Sequence, residues 1–405
     1  MVFGVVDEIA CEMMIHEAED YLRSDDVVND VHGIIARIAA GDGHVTPSLV
    51  SALRGSADPN ISTNAPLLLE LAQGTMRAER LGKGASGWLF TSTMAEQCTH
   101  PTIAAHHAAP FQGCSSVLEI CTGAGRDTAA FAGVVGSVTT VEHDPLVAAV
   151  TQGNLHRSGI VNVHIRVGAW PLEDVPTNAD GTWADPSRRR EGARTREAAA
   201  YDPPLASIPR DGIVGIKVGP GDRVTTDAPG NEYIGFGREC RERIIWRSPH
   251  CTGTRVTRVD VGCVWEPRGH AEPTVCVQPS IVVEPHNAII ASGCVGQFLA
   301  EHLIGVMDPR IGYGSSNDDV AASPWYQRYA VRAIERGVSV RRMQHAIRDY
   351  GWGPTTIFKK RGWDRNPEEL RTQLRFTPDG PAGVVIIMRV GDGHQTIYAH
   401  ALDAE

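Results

Sequence analysis

From Ser116 onward the chain alternates short apolar runs with helix-like stretches, and this alternation narrows the possible folds more than any other feature. Val117-Leu118-Glu119-Ile120 reads as a strand that leads into Cys121-Thr122-Gly123-Ala124-Gly125-Arg126-Asp127-Thr128. A second run from Val134 to Val141 closes on Glu142, a helix is predicted from Pro145 to His156, and a third strand covers Val161 to Val167. Further strands are expected around Thr182-Trp183-Ala184 and from Gly212 to Val218, then a hairpin over Glu232 to Gly237 and Glu242 to Arg247. Such alternation implies βαβ units and a parallel sheet covered on both faces. Residues up to about 110 read as helical, with Ile34, Ile35, Ile38 and Leu67, Leu68, Leu71 at helical spacing. Loops are expected at Gly41–Gly43, Ser56–Asn64 and Gly82–Gly87 and over the Pro-rich stretch 265–280, and an apolar helix from Ala288 to about Leu303.

The length of 405 residues suggests two or three domains at about 100–200 residues each. With 42% apolar and 21% charged residues, the chain has the means for a large core, and wholesale disorder is excluded. No run approaches the roughly 18 apolar residues of a membrane span, so no membrane partner is expected. The N-terminal segment lacks a basic region before its apolar residues, unlike a signal peptide. Nine cysteines without a C-x-x-C pair argue against a zinc ribbon or a disulfide framework and predict no metal site and a reducing cytoplasm. The formal charge of −10 argues against a nucleic-acid partner, yet Tyr326–Phe376 holds twelve basic and five acidic residues, a local +7. A basic module on an acidic body is compatible with a polyanion held at one end of the chain. A solvated Arg-rich helical face accounts for the same composition.

A glycine turn after the first strand lets backbone N–H groups approach a ligand with no Cβ in the way. An acid ending the second strand can accept hydrogen bonds from ribose hydroxyls. Gly123 and Gly125 form G-x-G, and Glu142 follows 17 residues after Gly125. Thr128 stands where a dinucleotide fingerprint needs its third glycine. Glu119, inside the strand before the turn, is instead typical of the class I fold that binds S-adenosylmethionine, where such an acid reaches the amino group of the methionine moiety. Cys121, Thr122, Asp127, Thr128 and His143 flank these positions. Gly168-Ala169-Trp170 ends the third strand on the expected adenine edge, where Trp170 is placed either to stack on the purine or to pack in the core. Asp185-Pro186-Ser187-Arg188 ends the fourth strand. In amino-methyltransferases an Asp/Asn-Pro-Pro-aromatic motif at this place accepts hydrogen bonds from the target amine and aims its lone pair, a positioning role. Ser187 and Arg188 replace the second proline and the aromatic, while Arg188 and Arg189 suit a phosphate or carboxylate on the substrate. Tyr201-Asp202-Pro203-Pro204 reads as a loop beside the same cleft.

These motifs together resemble the bacterial class I S-adenosylmethionine-dependent methyltransferases with a C-terminal THUMP-like domain, distantly related to trimethylguanosine synthase. The resemblance runs through Glu96-Gln97-Cys98-Thr99-His100-Pro101, Glu119 to Thr128, Asp185 to Arg189, Lys217-Val218-Gly219-Pro220-Gly221 and Glu284-Pro285. Its most specific stretch is Gly351-Trp352-Gly353 through Lys359-Lys360-Arg361-Gly362 to Arg371. It implies an α/β fold: a Rossmann-like class I methyltransferase sheet (111–283) between an N-terminal helical domain (1–110) and a C-terminal α+β THUMP-like domain (284–405). It implies S-adenosylmethionine as cofactor and structured RNA as partner, methylated at a base nitrogen. Asp185 would orient the amine, with Pro186 shaping its turn and Arg188 near a phosphate. Lys359, Lys360 and Arg361, interleaved with Trp352, Phe358 and Trp363, would grip the RNA backbone and unstacked bases. A small-molecule or protein methyltransferase with a merely structural C-terminal domain is the alternative, and a binding protein without turnover is a third reading. The sequence sets no oligomeric state.

Overall fold

The structure is a computed structural model that describes residues 20–41, 43–190, 193–224 and 229–403. These residues form two compact units, one holding those up to Asn231 with Ile244–Thr252, the other Glu232–Arg243 with the remainder from Gly253.

In the first unit the expected strands form as β1 (Ser116–Ile120), β2 (Ser137–Glu142), β3 (Val163–Val167) and β4 (Gly181–Ala184), followed by Ile213–Val218. All are parallel, in the order β3-β2-β1-β4 and then Ile213–Val218. The order reverses at β1, and such a switch point opens a crevice outside the carboxyl ends of the strands, where ligands of open α/β sheets bind. β2 starts at Ser137 rather than Val134, because Val134 and Val135 donate to Phe131 O and finish the preceding helix, Arg126–Ala132. The helix after β2 runs Pro145–Arg157, started by Asp144, whose carboxylate accepts from the N–H groups of Leu146 and Val147.

The boundary expected at residue 110 falls inside this unit. Helices Asp26–Ala40 and Ala65–Arg80 share one apolar cluster with Ala124 and Val150: Ile34, Ile38, Leu68, Leu71 and Phe90 all lie in it. Asn154 of helix Pro145–Arg157 clasps the backbone of Leu89, accepting its N–H at 2.8 Å and donating to its carbonyl at 2.9 Å. The helices thus pack on helix Pro145–Arg157 and on the glycine turn instead of forming a separate body. The loop expected at Ser56–Asn64 contains a short helix, Pro59–Thr63, which Asp58 caps and Pro59 starts.

The second unit also begins ahead of the expected boundary at 283/284. It carries a seven-stranded sheet in the order Gly305–Val306, Gly314–Ser316, Ile281–Pro285, Tyr326–Arg336, Gly393–Ala401, Val384–Val390 and Ile357–Arg361. Helix Val340–Asp349 packs Met343 and Ile347 against Val385, Ile387 and Tyr398 on one face, while Met307, Ile311 and Tyr313 cover Ile386, Met388 and Ile397 on the other. The helix expected from Ala288 breaks into Asn287–Ala291 and Val295–Glu301 at Gly293, whose φ of 76° lies in the left-handed region. Among the described residues no helix is long and apolar enough to cross a membrane.

Candidate active site at the carboxyl ends of the parallel strands

Past Ile120 the chain turns sharply, with Cys121, Gly123 and Gly125 at φ of 72°, 52° and 76°. A Cβ on Gly125 would lie 2.5 Å from Thr151 Cγ2, so both space and dihedral require glycine there. Thr151 fastens the turn by donating to Gly123 O at 2.8 Å. Nothing lies within 4 Å of the place a Cβ on Gly123 would take, which leaves that backbone open to an incoming ligand. The Thr122 hydroxyl pairs with that of Thr140 on β2. Cys121 holds its left-handed conformation without glycine's freedom, and burial pushes its thiol pKa up, so it packs as a neutral group. Such strain costs on the order of 1–3 kcal/mol, against about 0.5–1 kcal/mol for glycine's extra unfolded-state freedom. Cys121→Gly is therefore expected to stabilise the protein by about 1 kcal/mol with cofactor binding retained, as read by urea unfolding and calorimetry.

The acids around this turn do different work. Glu142, 4% exposed, accepts from Gly123 N–H at 2.8 Å and Asp144 N–H at 3.0 Å, so it links the end of β2 to the glycine turn. His143 is exposed, with Nδ1 3.0 Å from Glu142 Oε1. Glu119, expected to face the ligand, is 1% exposed and accepts from Thr128 Oγ1 at 2.5 Å beneath the turn. Asp127 is also turned inward, accepting from Thr99 Oγ1 at 2.6 Å and lying 2.8 Å from His107 Nδ1. Burial works to raise the Asp127 pKa, but the charges and hydrogen bonds of His107, Lys217 and Thr99 outweigh it and hold the carboxyl below its usual range. Glu119, Asp127 and Thr128 therefore build the turn from below, where the sequence reading had them touch the cofactor.

Burial pushes the Glu119 pKa up to about 8, against the pull of its Thr128 hydrogen bond. The folded state then binds a proton that the unfolded state has released, so this group's stabilisation is full below its ordinary pKa and is lost as pH rises toward about 8. Glu119→Gln is expected to flatten the fall of melting temperature between pH 5 and pH 8, as read by calorimetry across that range.

At the end of β3, the edge expected to meet adenine, Gly168 donates to Glu142 O at 2.9 Å and Ala169 is exposed. Trp170 is 8% exposed, sits in the apolar core and donates its indole N–H to Ser207 O at 3.1 Å. It is a core residue, and its ring is not available to stack on a purine.

At the end of β4, Asp185 N–H donates to Ile120 O at 3.0 Å, which joins the Asp185 loop to the start of the glycine turn. Pro186 is buried, and Ser187 pairs with Asp202 in both directions, at 2.7 and 3.1 Å. The Tyr201–Pro204 loop therefore lies beside the Asp185 loop. Tyr201 donates to Asp222, which also accepts from Gly219 N–H at 3.1 Å. Arg188 Nη1 stands 3.8 Å from Asp222 Oδ2, too far for a hydrogen bond, and is buried with no hydrogen-bond partner among the described residues. The side chain of Arg189 lies outside the described residues. Sequence reading missed Lys217 as a member of the site: it donates to Asp185 Oδ2 at 2.8 Å and to Thr99 Oγ1 at 3.2 Å.

The basic block lies in the second unit, on the edge strand Ile357–Arg361. Lys359 is not free for a polyanion, because its ammonium donates to Glu284 Oε2 at 2.8 Å. Glu284 also accepts from Tyr313, Tyr329 and Arg238. Burial works to raise the Glu284 pKa, and Lys359 with these donors holds it down. Lys360 is exposed and caps Arg365 O at 2.9 Å, while Arg361 lies 5.7 Å over the Tyr313 ring. Trp352 is 3% exposed in the core, with Phe358 and Trp363 packed against the same cluster. These aromatics are structural.

A family model described as protein-L-isoaspartate(D-aspartate) O-methyltransferase matches residues 91–170. An uncharacterized S-adenosylmethionine-dependent methyltransferase of Mycobacterium tuberculosis strain H37Rv is 29% identical over 360 residues, covering 82% of this chain and 96% of the relative. Its counterpart in strain CDC 1551 matches equally. A solved structure from Porphyromonas gingivalis W83, described as a candidate methyltransferase, superposes with a TM-score of 0.70 at 16% identity, over 93% of this chain and 99% of that one. The cradle open at Gly123, the acid facing it across the turn and the reversal of strand order at β1 fit the same cofactor. The chain has the class I fold and is an S-adenosylmethionine-dependent methyltransferase.

Proposed function

We propose that this methyltransferase acts on an amine of a small-molecule or protein acceptor bearing an anionic group, with the second unit in a structural role. The observation that carries the reading is the 3.0 Å hydrogen bond from Asp185 N–H to Ile120 O, which sets the Asp185 loop against the cofactor turn. Asp185 keeps 31% of its side chain exposed, whereas the Asp127 and Glu142 side chains keep 9% and 5% and Glu119 is buried. Of these acids it is the one able to meet an acceptor.

When bound, the cofactor supplies a methyl group on a positively charged sulfur. The turn Cys121–Gly125 would hold it through backbone groups, with Glu142 on the ribose side and Gly168-Ala169 on the adenine side. Asp185 accepts a hydrogen bond from the acceptor amine and fixes the direction of its lone pair. The buried nitrogen of Arg188 is a donor in waiting for a carboxylate or phosphate on the acceptor. The tied ammonium of Lys359 and the buried Trp352 favour a structural second unit. The eight described cysteines carry free thiols, which suits a reducing cytoplasm.

A second reading, methylation of structured RNA gripped by a THUMP-like second unit, keeps one supporting observation. Arg332, Arg336, Arg341, Arg365 and Arg375 are exposed within the basic stretch. Incubation with methyl-labelled S-adenosylmethionine and a cell extract separated into RNA, protein and metabolites tests both. Label in protein or metabolites is expected. Label in RNA, with binding that weakens at least about 1,000-fold between 50 and 200 mM salt, transfers the assignment to the second reading, and label in none of the three sinks both.

A further inference from the structure

Lys217 stands near the end of strand Ile213–Val218, 8% exposed, in a chain of hydrogen bonds that no stretch of sequence contains. Its ammonium reaches Asp185 Oδ2 at 2.8 Å on one side and Thr99 Oγ1 at 3.2 Å on the other. Thr99 donates its own hydroxyl hydrogen bond to Asp127 Oδ2 at 2.6 Å, and Asp127 Oδ1 faces His107 Nδ1 at 2.8 Å. His107 is fully buried, its ring 4.3 Å from that of Trp183 on β4. Asp127 lies in the first turn of the helix that leaves the glycine turn. The chain Asp185–Lys217–Thr99–Asp127–His107 thus connects the acceptor side of the crevice to the foundation of the cofactor side.

We propose that Lys217 is a positioning residue for methyl transfer, holding the Asp185 carboxylate in the orientation that receives the acceptor and locking it in register with the cofactor turn. This rests on the reading of Asp185 as the group that meets the acceptor. An aspartate on a loop end has free rotation about two side-chain bonds, and a carboxylate aimed wrongly by one ångström can cost about 100-fold in rate. An ammonium at 2.8 Å, itself held from behind by Thr99, removes that freedom. The pair also neutralises itself, so the site favours an uncharged amine, the form whose lone pair is available. A lysine that served only the fold would have its effect on stability and cofactor binding, with no dependence on Asp185.

The test is a double-mutant cycle with Lys217→Met, Asp185→Asn and both together, assayed by initial rates of labelled methyl transfer to the extract fraction that the unaltered protein labels. S-adenosylmethionine binding is measured alongside by calorimetry. Lys217→Met is expected to lower kcat by about 100-fold while the cofactor affinity stays within about threefold. In the Asp185→Asn background the same change is expected to lower the rate by less than about threefold, because residues that act as a unit are strongly non-additive. If the two losses multiply, Lys217 does not act through Asp185 and the proposal is overturned. If Asp185→Asn alone leaves the rate intact, the reading of Asp185 fails first, a distinct result. Lys217→Gln, which keeps a donor toward the same partners, runs the identical cycle with the same criterion where the methionine variant does not fold.

Discussion

Asp185→Asn is expected to lower methyl transfer by about 100- to 1,000-fold with S-adenosylmethionine affinity within about threefold of the starting value. Asparagine keeps the size of the side chain and its backbone hydrogen bond to Ile120, so the turn that carries it should survive. The change replaces one carboxylate oxygen with an NH2 group. That removes the charge matching Lys217 and, in one of its two orientations, points a donor at a donor. In the proposed mechanism the acceptor amine then loses the partner that aims its lone pair, while the turn Cys121–Gly125, which would hold the cofactor, is not touched by the substitution. Steady-state rates with the labelled acceptor fraction, set beside calorimetric binding of the cofactor, check it. A variant that transfers methyl groups at more than one tenth of the original rate removes Asp185 from the mechanism.

Trp183→Ala is expected to destabilise the first unit by about 3–5 kcal/mol, measured by urea unfolding. Trp183 is fully buried at the centre of β4 and lies among His107, Phe131 and Trp246, with ring centroids 4.3, 5.9 and 6.2 Å away. Gly215 on the neighbouring strand makes room for it, since a Cβ there would come within 2.8 Å of the indole ring. Truncation leaves a cavity walled by three rigid rings and by a sheet that cannot collapse into it, which puts the loss toward the upper end of the range. The indole N–H has no hydrogen-bond partner among the described residues. Trp183→Phe therefore sheds an unsatisfied donor along with some volume and should cost less than half as much. A phenylalanine variant as unstable as the alanine one would show that the indole N–H is paired in solution.

Features set by local sequence are legible in the sequence. The turn after β1 was legible because Gly123 and Gly125 mark left-handed positions, and the parallel sheet was legible because its apolar runs alternate with helical stretches. Cys121 carried no such mark, since a cysteine does not advertise a φ of 72°. The role of Glu119 was misread for a different reason. β1 is buried on both faces, so alternation along the strand does not tell which way a side chain points, and Thr128 is what draws the carboxylate beneath the turn.

Charge counts met a similar limit. Lys359-Lys360-Arg361 is a basic run in sequence, but the chain brings Glu284, 75 residues away, against Lys359, and the run becomes in part an internal ion pair. Backbone conformation is set by neighbours in sequence, so the sequence by itself determined the order of strands and helices, the glycine turn and the acids at the strand ends. The partner of a buried charge is set by which strands lie side by side. Lys217 finds Asp185 and Thr99 across 32 and 118 residues only because Ile213–Val218 lies beside β4, and that pairing was decided by the tertiary structure alone.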